Sequence, residues 1–127
     1  MRLLERGPAS GSGRPEVAAA DRRADEDARA IRCRACGRPI TTSAERTSIA
    51  GAHEHTRFNP HGLVFRFGCF RAAPGCAVAG EPTGDDTWFT GYRWSYALCG
   101  GCGEHLGWRF DGEPGFFGLV LEKLVED

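Results

Sequence analysis

Two Cys-x-x-Cys pairs, Cys33-Arg34-Ala35-Cys36 and Cys99-Gly100-Gly101-Cys102, stand far apart in the chain, with residues 37–98 between them. A CxxC turn brings two thiolates onto one metal ion, and two such turns complete a tetrahedral set of four ligands. The long intervening segment means that the metal clamps the two ends of a domain and is not the centre of a short finger. Gly37 and Gly103 follow the pairs and relieve crowding as the chain leaves the metal. The spacing predicts one structural zinc per chain, held by Cys33, Cys36, Cys99 and Cys102. A redox CxxC or a disulfide is the competing reading, but a redox motif needs only one pair. His105 follows Cys102 closely and is a weaker ligand candidate, because four cysteines already complete the set. Cys69 and Cys76 read as small apolar thiols of the core or a loop.

The 127 residues suit one domain. A net charge of −1 offers no electrostatic footprint for nucleic acid or an anionic membrane. Lys123 is the only lysine among 16 basic residues, which reads as a compositional bias and not as a binding signal. No run approaches the ~18 apolar residues of a membrane-spanning helix. The start, Met1-Arg2-Leu3-Leu4-Glu5-Arg6, lacks the apolar core of a signal peptide. The expected compartment is the cytoplasm, where reduced thiols favour zinc over disulfides.

Residues 1–30 differ from the rest. Gly7 to Pro15 is linker-like, and Ala20 to Asp27 is charged with no apolar stripe. Neither buries enough surface to offset ordering entropy, so a disordered polar tail is expected. A short polar helix from about Val17 to Ile31 would have nothing to pack against. The folded domain is expected over 31–127, β-rich, with Gly and Pro spread through its turns. Leu63, Phe65, Phe67 and Cys69 alternate onto one strand face. Between Trp88 and Leu98 the large residues are Trp88, Tyr92, Trp94, Tyr96 and Leu98. Leu106, Trp108 and Phe110 are expected to share a face, and Phe116 to Val125 forms a last apolar element, strand or helix. Asn59-Pro60-His61-Gly62 and Pro82 to Asp86 read as turns. His53 and His55, flanking Glu54, are expected in a solvated loop.

The three tryptophans, Trp88, Trp94 and Trp108, cluster around the second cysteine pair. They could simply fill the core of a domain poor in aliphatic side chains. Two features favour an open aromatic box instead. The polar stretch Gly84-Asp85-Asp86-Thr87 places Trp88 at a loop edge, and a turn at Gly91 folds Trp88 and Trp94 towards each other.

Asn59-Pro60-His61-Gly62, Trp88-Phe89-Thr90-Gly91-Tyr92-Arg93-Trp94, Cys99-Gly100-Gly101-Cys102, His105-Leu106-Gly107-Trp108-Arg109-Phe110 and Phe116-Phe117-Gly118-Leu119 together resemble the thalidomide-binding (CULT) domain family of cereblon. The resemblance covers about residues 31 to 125. It implies two antiparallel sheets packed at a steep angle, a β-tent, pinned by one zinc. It implies a pocket walled by Trp88, Trp94 and Trp108, with Phe110 at the base and Asn59 in the neighbouring loop. The ligand in the family is a neutral cyclic imide, such as the glutarimide ring of thalidomide or a C-terminal cyclic imide of a damaged protein. Backbone groups around the first tryptophan hydrogen-bond the imide. Asp86 stands where animal members of the family have a histidine, and the family contact there is made largely by the backbone carbonyl. The chain has no room for the Lon-like domain through which cereblon joins a ubiquitin ligase, so no ligase adaptor is expected, and a monomer is.

Aromatic walls suit such a ring, because each buried methylene contributes roughly 0.8 kcal/mol. The imide edge then presents acceptor, donor and acceptor to backbone groups without any charge. Other readings remain. An aromatic cage would take a quaternary ammonium or methylated lysine by cation–π attraction, aided by Asp85 and Asp86. A methionine sulfoxide reductase of the B type combines a β-rich domain with a four-cysteine zinc, but no cysteine follows Cys102 to act as its nucleophile. A tryptophan-rich peptide groove overlaps the imide reading. No catalytic residue is assigned, and an enzyme is not expected.

Overall fold

The computed structural model describes residues 27–127. The expected tail, and the short helix considered within it, lie outside the described residues except for 27–30. There, Ala30 already opens the first strand, and the Arg29 guanidinium reaches Glu126 at 2.8 Å.

Nine strands follow in order: β1 (Ala30–Cys33), β2 (Pro39–Thr42), β3 (Glu54–Phe58), β4 (Val64–Phe70), β5 (Cys76–Thr83), β6 (Arg93–Cys99), β7 (His105–Asp111), β8 (Phe116–Val120) and β9 (Leu124–Glu126). They form two antiparallel sheets, a three-stranded one ordered β2-β1-β9 and a six-stranded one ordered β3-β4-β8-β7-β6-β5. The last apolar element is two strands joined by a 3-10 turn, Leu121–Lys123. No helix of the described residues is long and apolar enough to cross a membrane.

The large sheet buries both faces, and each face has its own cluster. One cluster joins the sheets through Ile31, Ile40, Phe70, Ala97, Leu106, Leu119 and Leu124. The other is aromatic, built on Phe67, Phe89, Trp108, Phe110 and Phe116, with Phe65, Trp88, Tyr92 and Trp94 packed against it. β4 supplies both, Phe70 to the first and Phe67 with Cys69 to the second. Its far end is therefore buried on both sides, beyond what simple alternation predicts. Leu63 lies before β4 and is exposed.

Two expectations about faces change. In β6 the buried residues are the small ones, Ser95, Ala97 and Cys99, while Tyr96 is 46% exposed. Small side chains let the two sheets approach closely, and the large residues turn to the opposite face. Leu106 does not share a face with Trp108 and Phe110. The β6–β7 ladder pairs Ala97 with Gly107 and Leu98 with His105, so Leu106 is the extra residue of a bulge. It falls between the sheets, whereas Trp108 and Phe110 join the aromatic cluster. Gly107 is required there, because a Cβ would lie 1.9 Å from the Gly118 carbonyl oxygen.

His53 and His55 are not solvated. His55 lies on β3 at 7% exposure, with Nε2 2.9 Å from the Ile49 carbonyl and its ring stacked on Phe67. His53 Nδ1 is 3.1 Å from the Thr47 carbonyl. Both rings find carbonyl partners in the loop before β3, which removes the cost of burying a polar nitrogen.

Candidate binding pocket and metal centre

The two cysteine hooks are built alike. In the first, the Cys33 N–H donates to the Arg38 carbonyl (2.9 Å) and the Gly37 N–H to the Cys33 carbonyl (2.8 Å). In the second, the Cys99 N–H donates to the Glu104 carbonyl (2.8 Å) and the Gly103 N–H to the Cys99 carbonyl (2.9 Å). Gly37 and Gly103 both sit in the left-handed region, at φ +83° and +82°, which side-chain-bearing residues enter at a cost.

The hooks close on each other at the ends of β1 and β6. The four Sγ atoms of Cys33, Cys36, Cys99 and Cys102 lie within 4.8 Å of one another. Cys33 and Cys102 approach to 3.7 Å, Cys36 and Cys99 to 3.5 Å. A tetrahedral ion with metal–sulfur bonds of ~2.3 Å needs sulfur–sulfur edges of ~3.8 Å, so the cluster fits a metal ion. The thiols are free, and none is paired in a disulfide.

Charge points the same way. Burial opposes ionisation of Cys99, but the N–H groups of Cys102 and Gly101 and the neighbouring thiols outweigh it and bring the thiol down to about 6. The Glu104 amide also favours ionised Cys102, yet burial and contacts with Cys33, Cys36 and Cys99 carry it up to about 12. The cluster accepts a first negative charge readily and resists the next, which is the balance a bound cation reverses. Cys69 and Cys76 stay outside the cluster. Burial raises both thiols to about 12, so neither is an activated nucleophile. His105 is not part of the metal cluster either, and its Nε2–H donates to the Gly107 carbonyl at 2.9 Å.

On the aromatic face of the large sheet lies a cavity of about 290 Å³. Its lining includes Asn59, Asp86, Trp88, Trp94, Trp108 and Phe110, which sequence reasoning had singled out, together with Pro60, His61, Phe65, Tyr96 and His105. Register explains much of this. Trp94 faces Phe110 and Tyr96 faces Trp108 across the β6–β7 ladder, so four aromatic rings project from one patch of sheet. Trp88 comes from the β5–β6 connection. It stacks on Phe67 (5.5 Å, 13°) and meets Trp108 edge to face (4.9 Å, 80°).

The walls are fixed by hydrogen bonds. The Trp88 indole N–H donates to the Phe58 carbonyl and the Trp94 indole N–H to the Asp85 carbonyl, both at 2.8 Å. Asn59 Oδ1 accepts from the backbone N–H groups of His61 and Leu63, each at 2.9 Å, and so shapes the loop on the third side. His105 packs edge-on between Tyr96 (5.5 Å) and Trp108 (5.3 Å). Burial, the largest influence, lowers its pKa and favours the neutral imidazole. Asp86 has φ +55° and an exposed side chain. Among the described residues, neither the Asp86 carbonyl nor the Trp88 backbone N–H has an intramolecular partner. The site is a rigid aromatic concavity with a free backbone donor and acceptor in its lining segment.

Sequence reasoning missed Tyr96, His105 and Phe65 as lining residues. Tyr96 was within reach, since it shares a strand face with Trp94. The position of His105 depends on the bulge, and no alternation rule signals it.

Comparison with known proteins places relatives at this point. No protein-family model matches the chain. Protein cereblon from Gallus gallus is 34% identical over 101 residues, covering 73% of this chain and 23% of the relative. Protein cereblon from Xenopus tropicalis is 35% identical over 72 residues, 56% of this chain and 16% of the relative. Protein cereblon from Drosophila willistoni is 42% identical over 60 residues, 39% of this chain and 10% of the relative. The matched part thus spans less than a quarter of these curated relatives.

Proposed function

Because this chain is a member of the cereblon CULT-domain family, we propose that it is a binding module, not an enzyme, whose three-tryptophan pocket takes a neutral cyclic imide. The ligand is a glutarimide-type small molecule or a cyclic imide at a protein C-terminus. One zinc, held by Cys33, Cys36, Cys99 and Cys102, is structural, and the cytoplasm is the compartment that keeps its thiols reduced.

The observation that carries this reading is the convergence of Trp88, Trp94, Trp108, Phe110, Asn59 and Asp86 on one cavity of about 290 Å³. That is the small end of the range for ligand pockets, about 300 Å³ upwards, and suits a single ring. With two indole N–H groups committed to carbonyls, the walls offer flat apolar faces to the ring methylenes. The unpartnered Trp88 N–H and Asp86 carbonyl supply the donor and acceptor that an imide edge requires. An open-chain amide carries additional polar hydrogens that such a pocket would leave unsatisfied, at about 1–3 kcal/mol each. Few ligand atoms are engaged, so affinity is modest, with micromolar binding, about −8 kcal/mol, as its ceiling.

One observation favours a second reading, a cage for a quaternary ammonium: an acidic residue, Asp86, is among those that line the aromatic cavity. Thermal shift separates the two. Glutarimide should raise the melting temperature of the zinc-loaded protein, and tetramethylammonium should not. The reverse pattern would establish the cage.

A further inference from the structure

We infer that the Asp86 carboxylate makes this pocket select cyclic imides that carry a positive charge beside the ring, so that the preferred ligand is an imide-terminated peptide with lysine or arginine directly before the imide. This rests on the imide reading above.

Asp86 is the only lining residue with a fixed charge. The remaining lining is aromatic, proline, asparagine and two histidines, and burial favours the neutral form of His105. Among the described residues, no ion pair or side-chain hydrogen bond engages the Asp86 carboxylate. Arg57 lies over the Phe89 ring, and Arg93 stands opposite Asp111 in the β6–β7 ladder. Neither lines the cavity.

The backbone that carries the carboxylate is anchored. Asp86 adopts φ +55°, and the preceding Asp85 carbonyl anchors the Trp94 indole. Its position is therefore tied to a wall of the pocket. Phe110, 1% exposed, closes the base, whereas Asp86 is exposed and belongs to the mouth. A ligand whose ring fills the base must carry its remaining atoms past this carboxylate. A single charge at the rim of an apolar cavity concentrates field where the ligand leaves it. Exposed ion pairs give up to about 1 kcal/mol, and the upper part of that range corresponds to roughly two- to fivefold for a cation over a neutral group, with a comparable penalty for an anion.

The test is calorimetric titration of the zinc-loaded full chain with three probes: 3-aminoglutarimide acylated by N-acetyl-lysine, N-acetyl-alanine or N-acetyl-glutamate. At low salt the lysine probe should bind about two- to fivefold tighter than the alanine probe, the glutamate probe should bind weakest, and added salt should compress the series. In Asp86→Asn, chosen because asparagine tolerates the left-handed backbone, the ratio of lysine to alanine dissociation constants should rise from below one to close to one. That ratio is taken within each protein, so a uniform change in pocket affinity cancels. No charge preference in the original chain, or the same preference in Asp86→Asn, overturns the inference while leaving imide binding intact. Failure of the alanine probe to bind at all overturns both this inference and the imide reading.

Discussion

At the scale of residues, each wall of the pocket should matter in its own way. Trp88 and Trp94 are half-buried and anchored through their indole N–H groups to the Phe58 and Asp85 carbonyls. Trp88→Ala and Trp94→Ala should each weaken glutarimide binding by about 2 kcal/mol or more, roughly 30-fold, with zinc content by elemental analysis unchanged. Trp108 is buried and touches Phe65, Phe67, Trp88 and His105. Trp108→Ala should therefore also destabilise the fold, by about 3–5 kcal/mol in denaturant unfolding. Asn59→Ala removes one acceptor for two loop N–H groups and should have a smaller effect, about 1 kcal/mol in stability and a few-fold in affinity. The loop edge before Trp88 and the turn at Gly91 made an aromatic box readable alongside a core role for the tryptophans, and the family resemblance supplied Asn59, Asp86 and Phe110. The rest were hidden for separate reasons. Tyr96 was masked because its strand was read for core packing. The burial of His55 depends on carbonyls of Ile49 and Ala52 that only the folded loop brings to its ring.

Among the elements, the hooks and the bulge carry the most weight. The paired CxxC spacing was readable because two thiolates on one tight turn form a local geometry, and the two hydrogen-bond frames repeat almost atom for atom. The β7 bulge was not readable, since Leu106, Trp108 and Phe110 alternate without interruption in sequence. Its register depends on Gly107 meeting the Gly118 backbone. Gly107→Ala should unfold or strongly destabilise the domain, seen as a large fall in melting temperature, because the obstacle is backbone and cannot rotate away. The end of β9 offers a milder test. Hydrogen bonding to Arg46, then to Arg29, lowers the Glu126 pKa below its ordinary 4.5. A carboxylate with a depressed folded-state pKa stabilises above its unfolded pKa, and that contribution is lost as pH falls through the folded value. Glu126→Gln should thus cost under about 1 kcal/mol at neutral pH, and the difference from the original chain should vanish in acid.

Across the whole molecule, the cysteine cluster brings the small sheet, through β1, against the large sheet, through β6, and the pocket sits on the large sheet. The proposed zinc makes metal binding and folding one event, so that chelation should abolish cooperative unfolding and imide binding together. A β-rich domain was legible from turn density and strand alternation, and its division into two antiparallel sheets came from the family resemblance. Which face of each strand meets the other sheet was not, because small residues at Ser95 and Ala97 allow close approach and reverse the usual hydrophobic logic. We expect a chain starting at Asp27, which retains the Arg29–Glu126 pair, to keep both melting temperature and imide affinity. A large loss in either would show that the preceding residues contribute to the domain. The central claim is tested most directly by titrating the zinc-loaded protein with glutarimide while following indole emission and heat of binding together. The account predicts a saturable emission change and a one-to-one isotherm of affinity up to about micromolar, both shifted to roughly 30-fold or more higher glutarimide in Trp94→Ala. Intact zinc and fold with neither signal at millimolar glutarimide would contradict it.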